Sequence, residues 1–141
     1  MNNGILVIED NSEMQDLLKL LLEQEGYRIV SATTGGEALE ILRTGPELIL
    51  ILLDLTLPDI SADDFLSKVR NEELGKNVPI VYFSAVPRLQ QMALPAGVVG
   101  VIQKPFQISE FLAVISLFRQ NSPSLKINLK PEQNQNENRV S

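Results

Sequence analysis

The 141-residue chain has the length and the apolar fraction (44%) of one ordinary globular domain, and no apolar run is long enough to span a membrane. It contains neither cysteine nor histidine, which excludes disulfides, thiolate metal sites and histidine bases and is typical of a cytoplasmic protein. Three basic and two acidic residues follow Asn121, so the net charge of −6 leaves −7 on the first 120 residues, and a domain this acidic is a poor candidate for binding nucleic acid by itself.

The chain alternates short apolar runs, rich in β-branched residues, with segments of helical periodicity. The predicted strands cover residues 5–8, 27–32, 48–53, 78–83 and 98–102. The predicted helices begin at Ser12, Thr34, Ser61, Pro87 and Ser109. The fourth, over residues 87–94, is expected to be short because Pro95 closes it. Five strands alternating with five helices predict a doubly wound α/β fold, in which a five-stranded parallel sheet has helices on both faces.

The first helix is bounded by two recognisable signals. Ser12 is placed to cap its start and Gly26 to end it. Its apolar residues follow the spacing of a buried stripe: Met14, Leu17, Leu18, Leu21 and Leu22.

The third strand has the most informative boundary. Six apolar residues run unbroken from Leu48 to Leu53 and stop at the carboxylate of Asp54. A continuous apolar run bounded by a turn is typical of a strand buried on both faces in the middle of a parallel sheet. Because ligands of open α/β sheets bind outside the carboxyl ends of the strands, Asp54 is a candidate site residue.

Polar residues also follow three other predicted strands. Glu9 and Asp10 follow the first, Ser84 the fourth and Lys104 the fifth. Right-handed crossovers bring the carboxyl ends of parallel strands to one edge of the sheet, so we expect these side chains to converge on Asp54. Three neighbouring carboxylates repel one another, and both the Lys104 ammonium and a divalent cation would relieve this repulsion. A site made only of oxygen ligands suits Mg²⁺.

Each of these polar residues also has an ordinary structural explanation. Glu9 and Asp10 could be turn acids before a helix, and Asp54 could cap a strand-to-helix turn. Their joint placement at the ends of four strands favours a functional site over independent structural roles.

From about Gly4 to Gln120 the chain resembles the receiver domain of bacterial two-component response regulators. The resemblance rests on four segments in order: Ile8-Glu9-Asp10, Leu53-Asp54-Leu55-Thr56-Leu57-Pro58-Asp59, Phe83-Ser84-Ala85 and Gln103-Lys104-Pro105-Phe106. It implies a receiver domain over residues 1–120 with the flavodoxin-like strand order 2-1-3-4-5. Residues 121–141, rich in Asn, Gln, Ser and Pro, have the composition of a flexible polar tail or linker.

By this resemblance Asp54 is the phosphoacceptor, and its phosphoryl donor is a histidine kinase or a histidine phosphotransfer protein. Ser84 would hydrogen-bond a phosphoryl oxygen, and Lys104 would pair with the phosphoryl charge. The peptide bond between Lys104 and Pro105 would be cis. The protein would then be a signalling phosphoacceptor and not an enzyme, at most catalysing its own phosphorylation and dephosphorylation.

The same resemblance implies Mg²⁺ as the cofactor. The carboxylates of Glu9, Asp10 and Asp54 would hold the ion together with the main-chain carbonyl of Thr56. Such a ligand set agrees with the preference of Mg²⁺ for oxygen.

The chain departs from the family pattern near its expected output surface. Val101 stands where the family often has a tyrosine or phenylalanine that rotates on phosphorylation. Apolar residues are frequent in this part of the chain: Met92, Leu94, Val98, Val99 and Val101. Met92, Leu94, Val99 and Val101, if exposed together, would form a candidate output face between strand four and the last helix, which could bind an effector protein or a second copy as a homodimer. The alternative is that nearly all of them are buried.

Other functional classes meet specific obstacles. A haloacid-dehalogenase-type phosphatase needs a second acid two residues after the strand-end aspartate, where this chain has Thr56. A nucleotide-binding domain needs a glycine-rich loop after strand one, where this chain has Glu9-Asp10-Asn11-Ser12. The remaining alternative is a receiver-like interaction module that signals through protein contacts with little or no phosphorylation.

Overall fold

The structure, a computed structural model, describes residues 2–119. Its strands are β1 Gly4–Ile8, β2 Arg28–Ala32, β3 Leu50–Leu53, β4 Ile80–Ser84 and β5 Val98–Gln103. Its α-helices are α1 Ser12–Gln24, α2 Gly35–Arg43, α3 Ala62–Asn71 and α4 Ile108–Arg119. The strands are parallel and ordered β2-β1-β3-β4-β5, so the predicted doubly wound sheet and its strand order are confirmed. The predicted tail, residues 121–141, lies outside the described residues.

The sheet is covered on both faces by apolar side chains. Residues of α2 and α3 pack on one face with Leu6, Ile51 and Tyr82, and residues of α1 and α4 pack on the other with Val7 and Leu52. Every residue of β1, β3 and β4 is buried. This agrees with the unbroken apolar runs, since a central parallel strand has no polar face. No helix within residues 2–119 combines the length and the apolar character that crossing a membrane requires.

The helix starts follow side-chain capping, with one correction to the sequence prediction. Thr34 and Ser61 cap α2 and α3, and each side-chain oxygen accepts a hydrogen bond from the third following N–H group. The cap of α1 is Asn11 and not Ser12, because the Asn11 side chain accepts a hydrogen bond of 2.8 Å from the Met14 N–H.

The buried stripe of α1 also differs from the predicted one. Leu18 and Leu22 are buried as expected, but Leu17 is exposed and Gln15 is buried. The helix is therefore turned so that Gln15 lies one turn before Leu18 on the core-facing side. The spacing allowed either orientation, and the amide of Gln15 finds buried partners that a leucine could not use.

The predicted fourth helix over residues 87–94 is reduced to a three-residue 3₁₀ turn, Leu89–Gln91. Arg88, immediately before it, has a left-handed backbone conformation with φ 61°, which an α-helix cannot contain. Pro95 disfavours helical backbone at Leu94 on the other side. Leu89 is completely buried and packs on the same core cluster as Val98 and Val101.

The edge strand β5 contains a register shift that determines which of the candidate output residues are exposed. Ile80 pairs with Val98 but Val81 pairs with Gly100, so Val99 is an extra residue on β5. Val101 and Val98 are buried, and the inclusion of Val101 in an exposed output face was therefore wrong. Val99 is 40% exposed, like Met92 (40%) and Leu94 (39%).

Candidate active site at the carboxyl edge of the sheet

Three carboxylates meet where β1 and β3 end. One oxygen each of Glu9, Asp10 and Asp54 lies within 4.8 Å of the other two. Glu9 and Asp54 are almost completely buried, whereas Asp10 is exposed. The parallel pairing of β1 with β3 places Ile8 beside Leu53, which brings the residues that follow these strands together. The group therefore has a buried half and a half that is open to solvent.

Lys104, which follows β5, bridges the two buried acids. Its Nζ donates hydrogen bonds to Glu9 Oε1 and, at 3.0 Å, to Asp54 Oδ2. The ammonium also lies 4.8 Å from the centre of the Phe83 ring. The peptide bond between Lys104 and Pro105 is cis. One ammonium group thus lies between two buried carboxyl groups.

Asp54 is held by the loop that follows it. Its Oδ1 accepts hydrogen bonds of 3.0 Å from both the N–H and the hydroxyl of Thr56. Glu9 is held in a similar way, because its Oε2 accepts a bond of 3.1 Å from the Asn11 N–H. Both carboxylates are therefore oriented by backbone groups of the loops that carry them.

These contacts shift the pKa values of the two acids in opposite directions. Burial raises the pKa of Asp54, but the Thr56 N–H and the Lys104 ammonium stabilise its charge more, so the net pKa lies below the usual range. Burial dominates at Glu9, and the nearby Asp54 charge adds to it, so the pKa of Glu9 is raised. Burial lowers the pKa of Lys104, but its hydrogen bonds to Glu9 and Asp54 outweigh this and leave the pKa raised. Asp54 is consequently an ionised carboxylate at neutral pH.

Ser84, the last residue of β4, adds a free hydroxyl. Its side chain is completely buried, and its Oγ has no hydrogen-bond partner among residues 2–119. The hydroxyl is close enough to Asp54 to contribute to the lowered pKa of that residue, without meeting hydrogen-bond geometry. A buried hydroxyl without a hydrogen-bond partner is unusual in a folded protein.

The family profile described as "Response regulator receiver domain" matches residues 5–116, most of the described chain. The chain belongs to this family. Two similar proteins are the transcriptional regulatory protein DltR of Streptococcus agalactiae and the response regulator SaeR of Staphylococcus epidermidis. DltR is 33% identical over 126 residues, which are 88% of this chain and 55% of DltR. SaeR is 28% identical over 110 residues, which are 77% of this chain and 46% of SaeR. The receiver chain thus spans about half the length of these relatives.

Solved structures agree with this assignment. A two-component response regulator from Clostridium difficile superposes with a TM-score of 0.75 at 26% identity, covering 86% of this chain and 99% of that one. The receiver domain of the sensor histidine kinase PA1611 from Pseudomonas aeruginosa PAO1 gives 0.71 at 26% identity, covering 84% and 98%. That structure has a magnesium ion coordinated in its active site cleft. TrrA from Thermotoga maritima, solved with Mg²⁺-BeF, gives 0.71 at 27% identity, covering 82% and 98%.

The acidic group of this receiver domain suits a magnesium ion chemically. Its ligand atoms are carboxylate oxygens, and the chain has no histidine or cysteine that could add an imidazole or thiolate ligand. The exposure of Asp10 gives the group an open side from which an ion and its waters can approach. The residues present therefore fit Mg²⁺.

Sequence reasoning missed Gln15 as a support of the site. Its side-chain Nε2 donates to the carbonyl oxygens of Val7, Glu9 and Ala32 at 3.1, 3.0 and 2.9 Å. Glu9 is thus fixed through its main-chain carbonyl as well as through its carboxylate. The signal available in the sequence was the helical spacing of Gln15 with Leu18 and Leu22, which places a polar residue on the buried side of α1.

Proposed function

We propose that this receiver domain accepts a phosphoryl group on Asp54 from a histidine kinase or a histidine phosphotransfer protein, and that phosphorylation changes its contacts with other proteins. The observation that carries the proposal is the ionised, buried Asp54 carboxylate with Lys104 Nζ 3.0 Å from its Oδ2. A nucleophile and a positive charge for the incoming phosphoryl oxygens are therefore side by side.

The reaction needs little covalent help from the protein. An oxygen of Asp54 attacks the phosphorus of a phosphohistidine, the new O–P bond forms, and the P–N bond breaks. The bonding electron pair leaves with the imidazole nitrogen, which takes up a proton, and the product is an acyl phosphate. Water can cleave this acyl phosphate, so the signal decays without a separate enzyme.

Lys104 and Ser84 hold the product through its phosphoryl oxygens. Lys104 remains the fixed positive charge next to Asp54, and the Ser84 hydroxyl, which has no hydrogen-bond partner among residues 2–119, donates a hydrogen bond to a second oxygen. Because Ser84 is the last residue of β4, the new hydrogen bond pulls on residues 85–97, the segment that follows Ser84. The chemical event is thereby coupled to the surface that contains Met92, Leu94 and Val99.

Mg²⁺ is the cofactor that this site would take, held by the carboxylates of Glu9, Asp10 and Asp54 and by the Thr56 main-chain carbonyl. When bound, it neutralises negative charge on the phosphoryl oxygens and on the acids around them. Lys104 by itself balances only one of the three acidic charges.

We further propose that the exposed residues Met92, Leu94 and Val99 form an output face for an effector protein or a second copy. They are apolar, all are about 40% exposed, and they lie on the segment that follows Ser84 or on the adjoining edge strand. Binding of this kind would be sensitive to movement of residues 85–97.

The test of phosphorylation is incubation with Mg²⁺ and a small acyl-phosphate donor, followed by intact mass measurement. The wild type should gain one phosphoryl group and Asp54→Asn none, because an amide cannot form the acyl phosphate. Asp64→Asn, which changes an exposed acid at the start of α3, is the matched control and should be labelled like the wild type. Equal labelling of Asp54→Asn would contradict the assignment, and no labelling of the wild type would favour the unphosphorylated interaction module.

A further inference from the structure

The loop after Asp54 is fastened at its far end by a side chain with no role in the chemistry described so far. Asp59 Oδ1 accepts a hydrogen bond of 2.9 Å from the Gly35 N–H, and Asp59 Oδ2 accepts one of 2.9 Å from the Gly36 N–H. Gly35 and Gly36 are the first two residues of α2, more than twenty positions earlier in the chain. One carboxylate thus joins the β3–α3 loop to a separate helix.

This contact completes the start of α2. The N–H of Glu37 is accepted by the Thr34 side chain and that of Ala38 by the Thr34 carbonyl, which leaves the first two N–H groups for Asp59. The negative carboxylate lies at the positive end of the helix dipole. The two N–H groups lower the pKa of Asp59, which is an exposed carboxylate.

Side-chain packing, in addition to the hydrogen bonds, holds the β3–α3 loop against the start of α2. A side chain at Gly35 would collide with Ile60, so the residue next to Asp59 presses directly on the helix start. Gly36 has more room, but a methyl group there would lie 3.3 Å from Asp59 Oδ2. The first turn of α2 is shaped to receive Asp59 and Ile60 together.

We propose that Asp59 is a positioning residue that fixes the loop bearing the Thr56 carbonyl, and thereby sets the affinity of the acidic site for Mg²⁺. This inference rests on the proposed function. Thr56 is fastened on one side by its hydrogen bonds to Asp54 Oδ1, and only Leu57 and Pro58 separate it from Asp59 on the other. With both ends held, the Thr56 carbonyl keeps one direction.

The first test compares Mg²⁺ affinity, measured by calorimetric titration, in Asp59→Ala, Asp59→Asn and the control Asp64→Ala. Loss of an outer residue that orients a metal ligand weakens metal binding about tenfold, and we expect this for Asp59→Ala. Asp59→Asn keeps one oxygen acceptor and should be intermediate. Asp64→Ala removes the same charge from the neighbouring helix without breaking a contact to α2, and its affinity should stay within about twofold of the wild type.

The second test uses metal-free protein and amide hydrogen exchange. Asp59→Ala should speed exchange at Gly35 and Gly36, and also at the Thr56 N–H, which bonds to Asp54 and not to Asp59. A residue that merely capped α2 would leave the Thr56 amide unchanged. The expected signature is thus faster exchange at both ends of the loop.

Gly36→Ala supplies an independent check. In the wild-type background its methyl group crowds Asp59 Oδ2 and should weaken Mg²⁺ binding, whereas in Asp59→Ala it should have no further effect on affinity. Unchanged Mg²⁺ affinity and unchanged Thr56 exchange in Asp59→Ala would overturn this inference while leaving Asp54 labelling intact. A wild type that neither binds Mg²⁺ nor accepts a phosphoryl group would overturn the proposed function, and this inference with it.

Discussion

Two neighbouring parts of this receiver domain differ in how closely their side chains are held. The acidic site at the ends of β1, β3 and β5 is closely supported, since Lys104 donates hydrogen bonds to both Glu9 and Asp54, and each of these carboxylates also accepts one from a backbone N–H. The segment of residues 85–97 holds one three-residue turn, and its apolar side chains Met92 and Leu94 are exposed. The contrast indicates that the fold constrains the acidic site tightly and the surface of residues 85–97 loosely.

The reason lies in what each part must satisfy. Buried charges destabilise a protein unless every one is paired, so the carboxylates and Lys104 permit few alternative arrangements. A surface segment needs only enough buried area to remain attached, and Leu89 supplies it here.

The largest effect on stability is expected at Lys104. Lys104→Met removes the one positive charge between two buried acids, and it should destabilise metal-free protein by about 3 kcal/mol in urea unfolding at neutral pH. The control is Lys76→Met, because Lys76 and Glu73 form an exposed ion pair, and its cost should be below about 1 kcal/mol. Equal stability of Lys104→Met and Lys76→Met would show that the buried ion pairs of the acidic site constrain the fold no more than an exposed pair does.

The second effect concerns the anchor of the loose segment. Leu89→Ala should cost about 2 kcal/mol, at the low end for a buried leucine because the segment around it can collapse into the space. Leu94→Ala, from the same segment but 39% exposed, should cost less than about 1 kcal/mol. Thermal unfolding of both variants checks this. A Leu89→Ala variant as stable as Leu94→Ala would show that the segment is anchored elsewhere.

The third effect is the response of the acidic site to metal. At tenfold excess over its dissociation constant Mg²⁺ should stabilise the wild type by about 1.4 kcal/mol, which raises the melting temperature by about 4–6 °C. Asp10→Ala should lose this response and should be more stable than the wild type in metal-free buffer, because one like charge is gone.

Glu13→Ala, which removes an exposed acid from the first turn of α1, is the control for the metal response and should keep it. A wild-type melting temperature that does not depend on Mg²⁺ would count against the metal site.

The smallest effect on stability is expected at the output face. Charged substitutions at Leu94 and Val99 leave the core intact, so both folding and labelling of Asp54 should stay close to wild type, while association with a second copy or a partner weakens. Light scattering of the phosphorylated and unphosphorylated forms measures self-association. If the doubly charged variant associates like the wild type in both states, the output face lies elsewhere.

The site could be predicted from sequence because each of its residues interrupts an apolar strand. Once the strands are parallel and the crossovers right-handed, Glu9, Asp54, Ser84 and Lys104 have to meet at one edge. The strand order, in contrast, was predicted only from the resemblance to receiver domains. Local pattern and global topology agree at this edge, and the structure places Glu9, Asp54 and Lys104 in contact there.

Other features depend on packing that no local pattern encodes. The periodicity of α1 fitted a stripe through Leu17 as well as one through Gln15, and only the carbonyl groups at the ends of β1 and β2 decide between them. The register shift in β5 leaves Val99 unpaired with its side chain exposed, while Val101 stays buried. Asp59 belonged to a recognised motif, but its partners on α2 are distant in sequence.

Transfer from a phosphorus–nitrogen bond tests the central claim most directly, because that is the bond in phosphohistidine. The wild type and Asp54→Asn would be incubated with phosphoramidate and Mg²⁺, and the phosphorylated residue located by peptide mass mapping. We expect one phosphoryl group on the wild type, located on the peptide that contains Asp54 and removed by hydroxylamine as an acyl phosphate is, and none on Asp54→Asn. A label on another residue, or a wild type that stays unlabelled while binding Mg²⁺, would contradict it.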